Sequence, residues 1–164
     1  MRKIETIVYT IDEHPDPEAC YDYVRNNWHD LGVHYVEDAV NTLKELAKQC
    51  GYEVDYALCI HPERGEGVTF NRKHGWPDDR KAKEAFLPRD LEGNCPLTGT
   101  GYDETCLDVF RERPEEGLIE VLNEAAERLL ETLHEDGRWI YSDQGIHEML
   151  EANEYEFYET GEVL

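Results

Sequence analysis

The stretch from Pro114 to Asp136, PEEGLIEVLNEAAERLLETLHED, constrains the fold more than any other part of the chain. At roughly 100° per residue, Leu118, Leu122, Ala125, Leu129 and Leu133 share one side, flanked by Ile119, Ala126 and Leu130. Glu116, Glu120, Glu124, Glu127, Glu131 and Glu135 fall within about 100° on the opposite side. This pattern predicts an amphipathic helix with one core face and one carboxylate face. Like charges three and four residues apart cost an isolated helix a few tenths of a kcal/mol per pair. Within the helix, Arg128 is the cation placed to relieve them. Leu122, Leu129 and Leu133 are the expected core anchors.

A helix of this kind needs partners for its apolar side, and 164 residues suffice for one compact domain with a core. A hydrophobic fraction of 40% with 10% aromatics is that of a folded chain, although 33% of residues are charged. The formal charge is −22 and it is uneven. Residues 1–82 hold 16 acids and 10 bases, whereas residues 83–164 hold 22 acids and 6 bases. Such a surface repels nucleic acid and anionic membranes and attracts basic protein surfaces. The competing explanation is that the acidity only confers solubility.

Several segments supply the remaining elements. Residues 3–10 read as a strand. Asp16-Pro17 forms an N-cap followed by proline, opening a helix that extends to about Asp30. A second helix from about Tyr35 to Cys50 is closed by Gly51. In 52–60, Tyr52, Val54, Tyr56, Leu58 and Ile60 alternate strictly, and Gly67 to Asn71 form the returning strand of a hairpin. A short helix is expected to run from the Trp76-Pro77-Asp78-Asp79 region through Phe86. A turn-rich connector follows at 94–101, then a helix from Asp103 to about Arg113. Gly137 is expected to end the long acidic helix. Ser142 and Asp143 cap a helix to about Ala152, and a final strand begins at Tyr155. The expected fold is a single α+β domain over 1–164, with a central β-hairpin and edge strands packed against four to five helices.

Cys20, Cys50, Cys59, Cys95 and Cys106 contain no CxxC pair, and no apolar run approaches the roughly 20 residues of a membrane span. Met1-Arg-Lys leads into a strand-like run rather than a signal peptide. A cytoplasmic protein with reduced, mostly buried thiols is expected. Trp28, Trp76 and Trp139 are expected in or near the core, with Trp76 the most exposed.

Two stretches, CPLTGTGYDETCLDVFRERPEEG at 95–117 and WIYSDQGIHEMLEANEYEFYETGEVL at 139–164, resemble a family of acidic proteins encoded by phages and prophages. LKELAKQCGYEVDYALCIHPERGEGVTF at 43–70 is similar to the same family's N-terminal half. The shared motifs are structural: Ser-Asp-x-x-Ile ahead of a helix and Asn-x-Tyr-Glu-Phe behind it. The segment 72–90 falls outside the resemblance. What the resemblance implies is an origin in a phage or mobile element, and so a protein that disarms host machinery.

Three functions remain open to the residues. The first is a non-enzymatic inhibitor that fills a basic, nucleic-acid-binding surface of a host defence protein, such as a restriction or CRISPR effector. Its candidate contact residues are Glu116, Glu120, Glu124, Glu127, Glu131 and Glu135, with Glu148 and Glu151 supplying a second row. Six glutamates over about 28 Å of helix axis give about one charge per 5–6 Å, sparser than the 3.4 Å per phosphate of one DNA strand. One helix therefore does not mimic a duplex by itself. The second is an interaction module that binds through an apolar patch. The third is a hydrolase-like enzyme using Cys59, His61 and an acid, which would need an activated thiolate and an oriented base. No metal or cofactor site is expected: structural zinc needs about four ligands in paired spacings, and no loop matches a calcium hand.

Overall fold

Helices make up 57% of the computed structural model, which describes residues 7–86 and 96–164. The fold is α+β. In order come β1 (Tyr9–Thr10), a 3₁₀ turn (Ile11–Glu13), α1 (Pro17–Asn27), α2 (Val33–Cys50), β2 (Tyr52–Ala57) and β3 (Gly67–Arg72). They are followed by α3 (Asp79–Phe86), α4 (Gly101–Glu112), α5 (Leu118–Ile140), α6 (Asp143–Ala152) and β4 (Glu156–Phe157). Residues 3–6 of the expected first strand lie outside the described residues. β1 pairs antiparallel with β4, and β2 with β3, as two separate sheets.

The chain groups into two compact units, Gly32–Asp136 and the two terminal segments up to Leu31 and from Gly137 onward. In the unit of 32–136, α2 presents Ala39, Leu43, Leu46 and Ala47, and α4 presents Cys106, Leu107, Val109 and Phe110. These pack with Leu118, Val121, Leu122, Ala125, Leu129 and Leu133 of α5. Leu122, Leu129 and Leu133 are fully buried, as the apolar periodicity requires. Gly51 adopts φ +80 and caps α2 as expected, its N–H bonding back to the carbonyls of Ala47 and Lys48. That backbone also carries the indole of Trp76, since a Cβ on Gly51 would stand 2.6 Å from the Trp76 ring.

In the unit of the terminal segments, Ile11, Cys20, Val24, Ile146, Leu150 and Phe157 form the core. Asp16 accepts from the Ala19 N–H ahead of Pro17, and the Ser142 hydroxyl accepts from the Gly145 N–H at 3.0 Å, so both expected caps are present. His14 is buried. Its Nδ1 accepts from the Asp16 N–H, which makes Nε2 the donor to the Tyr158 carbonyl at 2.9 Å.

Three local expectations change. The acidic helix starts at Leu118 rather than Pro114, because residues 114–117 form a turn. It also continues through Gly137 to Ile140. An interior glycine costs about 1 kcal/mol relative to alanine, too little to stop a helix whose apolar stripe is already buried. Trp139 is 45% exposed rather than near-core.

Candidate acidic interface

The carboxylates of α5 fall into two groups. At its N-terminal end an ion-pair network joins the last residues of α4 to the first turns of α5. Arg113 reaches Glu116 and Glu124, each at 3.2 Å, and Arg128 reaches Glu124 at 3.2 Å and Glu112 at 2.7 Å. Hydrogen bonding from Arg128 holds the Glu112 carboxyl below its usual range. Periodicity identified Arg128 but missed Arg113, because Arg113 comes from the preceding helix end. Glu116 belongs to the turn before the helix, not to the helical stripe. Glu120 folds back over Gly117, where a Cβ would collide with its carboxylate. A carboxylate in the first turn is favoured by the helix dipole.

Further along, Glu127, Glu131 and Glu135 are exposed. Glu127 and Glu131 have no cationic partner among the described residues, and they stand one turn apart. Glu148 and Glu151 are exposed on α6, in the other unit, and Glu148 accepts a hydrogen bond from Gln144 at 3.1 Å.

Burial, followed by the carboxylates of Glu63 and Glu66, pushes the Cys59 thiol up, opposite to what a thiolate nucleophile needs. His61 is exposed in the hairpin loop. Another imidazole close to this region is that of His134 in α5, whose Nε2 lies 2.9 Å from Glu66 Oε2. At that position Nε2 makes no aimed hydrogen bond. The other Glu66 oxygen accepts from the Cys59 N–H at 2.9 Å. Glu66 thus ties the hairpin loop to α5, a role with no local sequence signal. Burial pushes the Cys20 thiol up to about 11 and those of Cys50 and Cys106 up to about 12; all three are free. Cys95 lies outside the described residues. Among the described residues, no group of three or more His, Cys, Asp or Glu side chains is arranged to hold a metal ion. No helix among them is long and apolar enough to cross a membrane.

The connector before α4 is built around Asp103, which is wholly buried. One of its oxygens accepts from the N–H groups of Leu97, Thr98 and Gly99 at 2.8, 2.7 and 3.1 Å. The other accepts from the hydroxyls of Thr98 at 2.7 Å and Thr42 at 3.0 Å. Burial opposes its charge, but the donors outweigh burial and hold the carboxyl below its usual range. The three N–H groups, an arrangement suited to an external anion, are occupied from within. This α+β protein matches no family model, no curated protein and no solved structure.

Proposed function

We propose that the chain is a non-enzymatic, phage-encoded inhibitor that occupies the basic, nucleic-acid-binding surface of a host defence protein in the cytoplasm. The observation that carries this reading is the pair Glu127 and Glu131, exposed on α5 with no cation beside them among the described residues. Upstream, the arginines are already committed to Glu112, Glu116 and Glu124. Carboxylates that a protein leaves unneutralised repel each other and lower their energy when a cationic surface approaches. The net charge of −22 draws such a surface in over a distance of about a Debye length. The resemblance to acidic phage and prophage proteins supports the same reading, and the raised Cys59 thiol weighs against covalent catalysis.

The test is a pull-down from a bacterial host lysate at low salt, followed by titration of the captured protein at 0.05 and 0.3 M salt. Glu127→Gln with Glu131→Gln should weaken binding and flatten its salt dependence while leaving the helix content unchanged. Equal affinity for parent and variant would remove this face from consideration. A second reading, docking through an apolar patch, draws on the exposed Trp76 and Tyr56 at 44% and 40%. It predicts binding that is nearly independent of salt and lost in Trp76→Ala.

A further inference from the structure

The hairpin carries an open edge. Lys73 N–H donates to the Gly51 carbonyl at 3.0 Å, which extends the β2–β3 register by one pair. Antiparallel ladders alternate between residue pairs that exchange hydrogen bonds and pairs whose backbone groups point away. The exchanging pairs are therefore Glu53 with Asn71, Asp55 with Thr69 and Ala57 with Gly67. On β3, the N–H and carbonyl groups of Val68, Phe70 and Arg72 point outward, and they find no partner among the described residues. No described strand of this unit lies beside that edge. Over Gly67–Asn71 the edge carries no proline or charged residue, and its charged guards, Arg72 and Lys73, stand only at one end.

We propose that the outer edge of β3 pairs antiparallel with β3 of a second copy of this chain, joining two hairpins into one four-stranded sheet. Centred on Phe70, the pairing sets Val68 opposite Arg72 of the second copy. All three outward residues on each strand then meet outward residues, giving about six hydrogen bonds. A register shifted by one residue would meet groups already used within the hairpin. Charge favours the same centre. Lys73 at one end of the strand runs beside the loop of the second copy, where Glu63 is exposed. Arg72 and Glu66 are already engaged within their own chain, Arg72 with Asp79 and the Pro77 carbonyl, Glu66 with His134 and the Cys59 N–H. Residues 52–73 hold four acids and three bases, so this is a nearly neutral surface in a chain of −22. Two copies meet there with little of the repulsion their acidic faces would bring. The contact is independent of the acidic face on α5.

Sedimentation of the full chain over a concentration series in 0.15 M salt tests the pairing, alongside hydrogen exchange at Val68, Phe70 and Arg72. The mass should rise from 19.1 kDa toward twice that value, and the three amides should become protected as concentration rises. Val68→Pro removes an outward donor and no hairpin bond, and should hold the mass at 19.1 kDa with unchanged circular dichroism. Should that variant fail to fold, charge reversal decides. Lys73→Glu should weaken dimerisation about tenfold because the contact occurs twice by symmetry. Adding Glu63→Lys should restore most of that loss. A monomer up to about 1 mM, estimated as a generous limit for weak pairing, would overturn the proposal. So would a dimer untouched by folded Val68→Pro, a dimer that neither reversal alters, or amide protection that appears only with a different protein added.

Discussion

The two loops that bracket α4 solve the same problem with opposite charges. Before the helix, residues 97–99 turn three N–H groups onto the buried carboxylate of Asp103. After it, residues 113–116 turn three carbonyls, those of Arg113, Pro114 and Glu116, onto the buried ammonium of Lys83 in α3. An anion at the N-terminal end and a cation at the C-terminal end both suit the dipole of α4. The two differ in how the charge is delivered. Asp103 lies within the helix it serves, and all but one of its donors come from six or fewer residues away. Lys83 arrives from a helix 30 residues distant in sequence. Backbone polar groups in a packed loop need partners. A local acid meets that need early in folding, whereas a remote lysine meets it only once α3 has docked.

The largest effect should come from Asp103→Ala, which leaves three N–H groups and two hydroxyls without their shared acceptor. We expect a loss of about 3–5 kcal/mol in urea unfolding, the range for breaking a buried charged network. A loss under about 1 kcal/mol would mean that water replaces the carboxylate and the two loops are not equivalent. Lys83→Met, which keeps the aliphatic stem, should cost about 2–3 kcal/mol for three orphaned carbonyls. Lys83→Arg should recover only part of it, since three carbonyls converge on a point and a guanidinium spreads its donors along a fork.

Acid separates the two loops further. The folded pKa of Asp103 lies below its unfolded value. Its contribution is therefore fully present above the unfolded pKa, near 3.9, and is lost as pH falls through the folded one. Unfolding midpoints between pH 6 and pH 2.5 should fall for the parent and fall less for Asp103→Asn. Identical slopes would show that other carboxylates set the acid limb. The smallest effect belongs to the surface: Glu127→Gln with Glu131→Gln should shift stability by under about 0.5 kcal/mol, upward if at all. Moderate salt should also raise the melting temperature of the parent by screening its carboxylates. A clear destabilisation in the double variant would mean these glutamates are held by contacts within the protein.

Periodicity placed the buried leucines of α5 correctly because burial of a helical face is written every three or four residues. The caps at Asp16, Gly51 and Ser142 were equally readable, as each depends on neighbours within four positions. Only the helix start at Asp103 was readable, not its role as an acceptor, since the Thr42 hydroxyl comes from another helix. Lys83 could not be read, since nothing near it in sequence announces carbonyls 30 residues away. The acidic stripe was seen as one object because spacing records only angle around the helix. It became two groups when Arg113 entered from the end of α4. The partner of β1 was not legible for the same reason, as β1 and β4 find each other across almost the whole chain.

Gly51 joins two demands that are separate in most proteins: a left-handed backbone and room for an indole against the Cα. Asparagine tolerates the first but not the second, and a backbone shift that freed the indole would lose the cap. The position is therefore closed to gradual change, because no single intermediate residue satisfies either demand without violating the other. A library randomised at 51 should return glycine almost alone. One randomised together with position 76 should open 51 to asparagine first, since shrinking the indole lifts only the steric half of the restriction.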